Sequence, residues 1–162
     1  MDDSALLANY SRKGSQEDFA VLVKRHADWV YSVSPPVAVL AFVATSESTA
    51  STSYVDLATT TDTVTVIVGA AGIAEVALSH VMSAATVNPS TILMSFAMSG
   101  ANTQAATDKY NAGAINTGGG GATGNSFLLT GLTPGSTTFK AKYRVTGGTM
   151  GSSQRLISVK VL

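Results

Sequence analysis

The sequence predicts a mainly β protein: an antiparallel β-sandwich or jelly roll with a short helical hairpin at its N-terminus. Residues 139–145 alternate apolar and basic side chains, which is the period-two pattern of a half-buried strand. Short apolar runs recur along residues 37–162, separated by turns rich in Gly, Ser, Thr and Asn. Residues 1–32 instead hold nine of the twenty Asp, Glu, Lys and Arg residues. We therefore divide the chain into a helical segment 1–32, a linker 33–36 and a sandwich domain 37–162.

Composition narrows the possible partners. The 162 residues can form one domain with a substantial core, and their net charge is zero. A domain that binds nucleic acid through the phosphate backbone normally carries a basic excess, so we expect no nucleic acid partner. No cysteine is present, which excludes disulfides and thiolate metal sites. The start of the chain lacks the pattern of a signal peptide, and the apolar residues 37–44 are too few to span a bilayer, so no membrane partner is expected.

The first helix is expected to begin at Asp3 or Ser4, either of which can cap it, and to run to about Arg12. Gly14 then ends it, because glycine adopts the left-handed conformation common after a helix.

The second helix is expected to begin after Ser15, with Asp18 three positions later as a weak capping box. Five residues at helical spacing form an apolar stripe: Phe19, Leu22, Val23, His26 and Val30. Pro35-Pro36 ends the helix, since proline disfavours the helical conformation in the residue before it.

The sandwich domain is expected to contain eight strands. Residues 73–84 also fit a helix, but their β neighbours favour a strand. Pro134-Gly135 is a turn between two strands in residues 127–146, because proline fixes φ and glycine tolerates positive φ. The expected strands are 37–45, 53–58, 63–69, 73–84, 90–98, 125–131, 136–146 and 155–162.

Two connections are expected to be exposed loops. Residues 99–124 form the longest gap between strands, and a loop of that length is usually functional or mobile. Residues 147–154 are expected to join the last two strands as a hairpin. The glycines Gly118–Gly121 lack the following Lys-Ser/Thr of a phosphate-binding loop.

Residues 1–32 resemble the opening of an extracytoplasmic-function RNA polymerase sigma factor. The resemblance rests on Leu6-Leu7, Tyr10, Gly14-Ser15, Asp18-Phe19, Leu22-Val23, His26 and Trp29-Val30-Tyr31. It ends where the family continues with the helices that grip polymerase and bind the −10 element. It therefore implies a remnant, a fusion or a join, and it does not imply promoter recognition.

Residues of about 50–162 resemble a β-sandwich module of tailed-phage virion proteins, chiefly tail-fibre or other surface proteins. Three stretches carry the resemblance: TSYVDLATT at 52–60, MSFAMSGA at 94–101 and GLTPGSTTFKAKYRV at 131–145. A fibronectin type III domain is the second choice and not the first. That family has an aromatic residue at the position that Thr138 occupies here.

The residues that could carry chemistry do not form a recognisable catalytic, cofactor or metal site, so we expect a non-enzymatic protein without cofactors. His26 and His80 are far apart in sequence and have no clustered carboxylates nearby. Asp56, Asp62 and Asp108 are isolated in turn-like contexts, where aspartate commonly caps backbone groups. Trp29 is interpreted as a packing residue.

Lys140, Lys142 and Arg144 form a basic row that is the one candidate contact surface. Such a row could bind an anionic glycan or phosphate. The alternative is a solvated strand face, in which lysines prevent unwanted pairing at a sheet edge.

Together these features predict a structural or adhesive module of virion-surface or tail-fibre type, located on a virion or cell surface. It would bind cell-surface glycans or other virion proteins through its loops and self-associate, by analogy with fibre tips as a homotrimer. One alternative is a cytoplasmic transcription regulator that contacts RNA polymerase through residues 1–32. Another is a carbohydrate-binding or small hydrolytic sandwich.

Overall fold

A computed structural model describes residues 3–33, 38–116 and 119–162, apart from the side chains of 27–33 and 116. The chain forms two compact units, Met1–Pro36 and Val37–Leu162. The predictions for Trp29, for most of the linker 33–36 and for Gly118 lie outside the described residues.

The first unit is the predicted pair of helices, α1 (Asp3–Lys13) and α2 (Gln16–Val33). Gly14 ends α1 with φ of +63°, and its amide donates to the carbonyl of Tyr10. Ser15 caps α2, because its Oγ accepts a hydrogen bond of 3.3 Å from the amide of Asp18. The end of α1 and the start of α2 therefore follow from local capping chemistry, as the sequence predicts.

Contacts between α1 and α2 combine one apolar residue, one ring stack and one charge cluster. Leu6 is buried, and the rings of Tyr10 and Phe19 stack with centroids 4.7 Å apart. The carboxylate of Asp3 lies 2.6 Å from Arg25 and 2.7 Å from His26. Two residues of the predicted apolar stripe on α2, Phe19 and Val23, are more than 40% exposed, and the side chain of Val30 lies outside the described residues.

The second unit is a sandwich of two antiparallel sheets, as predicted. The strands are β1 (Ala38–Val43), β2 (Glu47–Thr49), β3 (Thr63–Val68), β4 (Ala74–Met82), β5 (Ser90–Gly100), β6 (Ala112–Asn116), β7 (Gly121–Leu129), β8 (Gly135–Val145) and β9 (Met150–Val161). The first sheet has the order β1-β9-β4-β7, and β2 pairs with β9 beside β1. The second sheet has the order β3-β8-β5-β6.

The core lies between the sheets and follows the alternation in the sequence. On β8 the predicted apolar residues face inward with at most 1% exposure: Phe139, Ala141, Tyr143 and Val145. The first three share a core cluster with Val76 and Leu78 of β4 and with Ile157 and Val159 of β9, whereas Val145 packs in a second cluster with Met82, Ile92 and Met150. Residues 73–84, which also fitted a helix, form strand β4 with strictly alternating burial. Gly135 adopts φ of +137° at the turn predicted there.

Several predicted boundaries and pairings are wrong. In place of a strand at 53–58, the structure has one isolated bridge between Val55 and Tyr143. The expected loop 99–124 contains a 3₁₀ turn at 108–110, all of β6 and the start of β7. Strand β6 was not predicted because Ala112–Asn116 have low β propensity, and the strand forms because it pairs with β5.

The last two strands do not form a hairpin. β9 begins at Met150, inside the predicted loop 147–154, and pairs with β1, β2 and β4 in the first sheet. β8 lies in the second sheet. The connection therefore crosses from one sheet to the other, as does the connection from β7 to β8.

A β-bulge interrupts the pairing of β9 with β4. Ser79 pairs with Leu156 and Val81 pairs with Ser153, so two residues on β9 oppose His80 on β4. One of them, Gln154, has φ of +46°, the left-handed conformation that glycine usually occupies in such a bulge.

We expect Gln154→Gly to raise the free energy of unfolding by roughly 0.5–1 kcal/mol in urea denaturation. The left-handed conformation costs an L-residue about 1–2 kcal/mol, which exceeds the extra chain entropy of glycine of about 0.5–1 kcal/mol. Gln154→Val is the control and should destabilise, because a β-branched residue tolerates positive φ poorly. A valine variant as stable as the glycine variant would contradict this account of the bulge.

Candidate functional site

A shallow polar groove of about 670 Å³ lies on the outer face of the second sheet. Its floor is Ala97 of β5 and the long side chains of Lys142 and Arg144 of β8. The segments 52–54 and 105–108 form its walls. Two of the three residues of the predicted basic row therefore line this groove, and Lys140 lies next to them on the same face of β8.

Two of the three aspartates predicted to be isolated, Asp56 and Asp108, neutralise most of the charge of this row. Asp56 lies 3.0 Å from the Nζ of Lys140 and 2.9 Å from that of Lys142. The guanidinium of Arg144 donates two hydrogen bonds to Asp108, of 2.9 and 2.6 Å. The row therefore presents three positive charges to two carboxylates, which leaves one positive charge in excess.

Tyr54 completes the groove. Its hydroxyl donates a hydrogen bond of 2.9 Å to Asp108, and the guanidinium of Arg144 lies 5.5 Å from its ring centroid. Burial, and then the hydrogen bond to Asp108, raises the pKa of Tyr54 to about 12. The hydrogen bond from Arg144, and then that from Tyr54, lowers the pKa of Asp108. These groups therefore keep one protonation state across neutral pH.

The groove offers hydrogen-bonding groups that are already held in place. Asp108 has 60% of its side chain exposed, although it is bonded to Arg144. The aromatic ring of Tyr54 was not singled out from the sequence, because a lone tyrosine in a turn-like run carries no pattern. Pairing across 54 positions brings it to Asp108.

A second polar cluster lies in the core around Arg155 of β9, which is fully buried. Its guanidinium donates to Glu47 at 2.7 Å and to the carbonyl of Thr59 at 3.2 Å. Its Nε lies 3.5 Å from Asp62, which is an electrostatic contact without a hydrogen bond. The ring of Tyr143 lies beneath it at 5.4 Å.

The pKa values of the two carboxyl groups in this cluster are shifted in opposite directions. Burial raises the pKa of Asp62, despite a 2.6 Å hydrogen bond from Tyr143 and the charge of Arg155. Burial also opposes the charge of Glu47, but hydrogen bonds from Thr59 and Arg155 outweigh it and lower the pKa of Glu47. Glu47 is therefore the principal counterion of Arg155.

His80 of β4 links the two sheets in the interior. Its Nε2 lies 3.2 Å from the carbonyl of Ala112 on β6, so this nitrogen carries the proton. Its Nδ1 accepts from the hydroxyl of Ser152 at 2.8 Å. Burial lowers the pKa of His80 to about 4, so the ring is neutral at physiological pH. His26 lies in the other unit, exposed, beside Asp3.

The outer face of the first sheet differs from that of the second. It is formed by alternate residues of four paired strands. Three of its large apolar side chains are well exposed, namely Leu40 (60%), Phe42 (55%) and Leu128 (62%). Twelve residues form three complete rows of this face, namely Ala38, Leu40, Phe42, Glu75, Ala77, Ser79, Gly124, Ser126, Leu128, Leu156, Ser158 and Lys160, and Val81, Ala122 and Ser153 continue it beyond these rows.

Among the described residues, no group of three or more His, Asp or Glu side chains is placed to hold a metal ion. Within the same residues, no helix is long and apolar enough to cross a membrane.

Comparisons with known proteins show the fold. No family model and no curated protein matches the chain. The structure of Eiger TNF from S. frugiperda is similar over 80% of this chain and 94% of that chain, with a TM-score of 0.53 and 15% identity. A chain of the T13 IBDV viral particle is similar over 79% of this chain, with a TM-score of 0.52 and 13% identity. This chain spans 31% of that viral chain.

At these identities the likeness shows a jelly-roll-like sandwich and nothing finer. The fold class predicted from the sequence is confirmed, and a viral chain is among the structures that share it. The resemblance of residues 1–32 to sigma factors stays a prediction.

We expect His80 to make the sandwich less stable in mild acid. The pKa of the folded state is about 4 and the ordinary value is 6.5, so between these values the unfolded state binds more protons. Stability should fall by up to about 3 kcal/mol as pH drops through this window, since one pKa unit corresponds to about 1.4 kcal/mol. Urea denaturation between pH 7 and pH 5 measures the slope.

His80→Asn should flatten this pH dependence, even if it lowers stability at every pH. His26→Asn is the matched control, because it removes the other histidine of the chain. Equal slopes for wild type and His80→Asn would show that His80 is not the titrating group.

Proposed function

We propose that this chain is a non-enzymatic structural and adhesive module of virion-surface type, related in role to phage tail fibres. The observation that carries the proposal is the two-sheet fold, which a chain of the T13 IBDV viral particle shares over 79% of this chain. The module works by shape: the sheets form a rigid scaffold, and the surfaces bind a sister subunit or a cell-surface molecule.

The distribution of charge supports self-association. Residues 37–162 hold eleven of the twenty Asp, Glu, Lys and Arg residues. Eight of these eleven lie in the ion pairs around β8 and in the Arg155 cluster: Glu47, Asp56, Asp62, Asp108, Lys140, Lys142, Arg144 and Arg155. Among the described residues of the outer face of the first sheet, the charged ones are Glu75 and Lys160. Large apolar side chains therefore face water there until a partner covers them.

The polar groove supports adhesion. It lies between two connecting segments, offers hydroxyl, carboxylate and guanidinium groups, and carries a small positive excess. These are groups that hydrogen-bond sugar hydroxyls, and the excess charge favours a glycan with an acidic substituent. We therefore assign glycan contact to the groove and the proposed location to a virion or cell surface.

The native mass of the purified chain tests self-association. We expect light scattering after size exclusion to give a multiple of 16.5 kDa, that is, two or more chains. A single-chain mass at concentrations up to hundreds of micromolar would overturn the self-association part of the proposal.

A glycan array tests adhesion. We expect wild type to bind glycans that carry acidic sugars, and Lys142→Gln to lower that signal about tenfold, because Lys142 lines the groove. Lys140→Gln is the matched control: it removes a positive charge that is also paired with Asp56, yet Lys140 is not among the lining residues. Equal losses in both variants would indicate non-specific charge attraction. No binding by wild type would overturn the adhesive part and leave the structural part standing.

A further inference from the structure

We propose that the outer face of the first sheet binds a second copy of this chain across a two-fold axis parallel to the strands, between β9 and β4. The inference rests on the self-association proposed above and names the surface and the symmetry, and its two-fold pair replaces the homotrimer expected from the analogy with fibre tips. It follows from how bulk and charge are distributed over the twelve residues in the three complete rows of this face.

Large side chains lie at one edge of the face and small ones at the other. The strand order β1-β9-β4-β7 puts β1 and β7 at opposite edges. β1 presents Leu40 and Phe42, both more than half exposed. At the same levels of the sheet, β7 presents Ser126 and Gly124.

The registers define three rows across the sheet. One row is Phe42, Leu156, Ser79 and Gly124; the next is Leu40, Ser158, Ala77 and Ser126; the third is Ala38, Lys160, Glu75 and Leu128. In the first two rows the bulk decreases from β1 to β7. In the third it is reversed at the edges, with alanine on β1 and leucine on β7.

A two-fold axis between the central strands exchanges β1 with β7 and β9 with β4 between the copies. Phe42 then lies over the partner's Gly124, and Leu40 lies over the partner's Ser126. Leu156 meets the partner's Ser79, and Leu128 meets the partner's Ala38. In each of these contacts a large side chain faces a small one, which is the interdigitation that close packing of two sheets about 10 Å apart requires.

The same axis pairs the charges of the face. Lys160 and Glu75 are direct cross-strand neighbours in one chain. The two-fold operation places Lys160 over the partner's Glu75 and, by symmetry, Glu75 over the partner's Lys160. An isologous interface satisfies every contact twice, so one operation accommodates both charges and all the large side chains of these three rows.

The other outer face is unsuited to such a contact. On the second sheet, Ser95 donates to the carbonyl of Thr107, so a flanking segment already covers part of the face. Another part of it carries the ion pairs of the groove. A flat, mostly uncharged surface is therefore found on the first sheet.

The experiment is a swap of bulk between two facing positions, followed by sedimentation equilibrium of the full chain. Leu40→Ser removes a knob and Ser126→Leu fills the site that receives it, so each variant should weaken dimerisation at least tenfold. The double variant Leu40→Ser/Ser126→Leu moves the knob to the facing position and should return the dissociation constant to within about threefold of wild type. Both positions of the swap are exposed, so circular dichroism should show an unchanged fold.

Ile67→Ser is the matched control, because Ile67 of β3 is 70% exposed but points outward from the second sheet. It should leave the dissociation constant unchanged. If Ser126→Leu tightens association, or the double variant is no better than the single ones, the two-fold contact is wrong although self-association stands. A trimer insensitive to both substitutions has the same meaning. A monomeric wild type overturns both the contact and self-association.

Discussion

The guanidinium of Arg155 carries a positive charge in the interior of the sandwich, and groups beside it have to neutralise that charge. Removing one partner of a buried ion pair typically costs about 3–5 kcal/mol, because the remaining charge is uncompensated. Glu47 supplies the main compensation at 2.7 Å, and the carbonyl of Thr59 accepts a further hydrogen bond. Glu47 in turn accepts from the amide of Thr59 at 2.9 Å. The segment between β2 and β3 is thus held against β9 by polar contacts, although it contains little regular structure.

The bulge at Gln154 makes this arrangement possible. In a regular strand, residues three positions apart lie on opposite faces. The extra residue restores the same face, so both Ser152 and Arg155 are fully buried. Ser152 then bonds His80, whose other nitrogen reaches Ala112 in the second sheet. The left-handed residue Gln154 therefore allows Arg155 to enter the ion cluster and Ser152 to bond the histidine that joins the two sheets.

The features that could be predicted from the sequence are those set by neighbouring residues. Alternation on β8 and the caps at Gly14 and Ser15 are properties of neighbouring residues, and the structure has them where expected. Which sheet a strand joins is not local: the connection before β9 has the composition of a hairpin loop but crosses between sheets. Arg155 gave no signal either, because its burial depends on Glu47, which is 108 positions away. The basic row was identified, but its aspartate partners and Tyr54 converge on it only through tertiary packing.

The sandwich separates two kinds of surface. The aspartates at 56 and 108 lie over the second sheet and neutralise most of the charge of β8 there, which produces a polar groove walled by connecting segments. On the outer face of the first sheet, Leu40, Phe42 and Leu128 are more than half exposed, and most of the other residues are small. Because the two outer faces point in opposite directions, a subunit that pairs through the first sheet keeps the groove of the second sheet facing outward. Pairing would therefore place the two grooves on opposite sides of the dimer, where neither is covered by the contact.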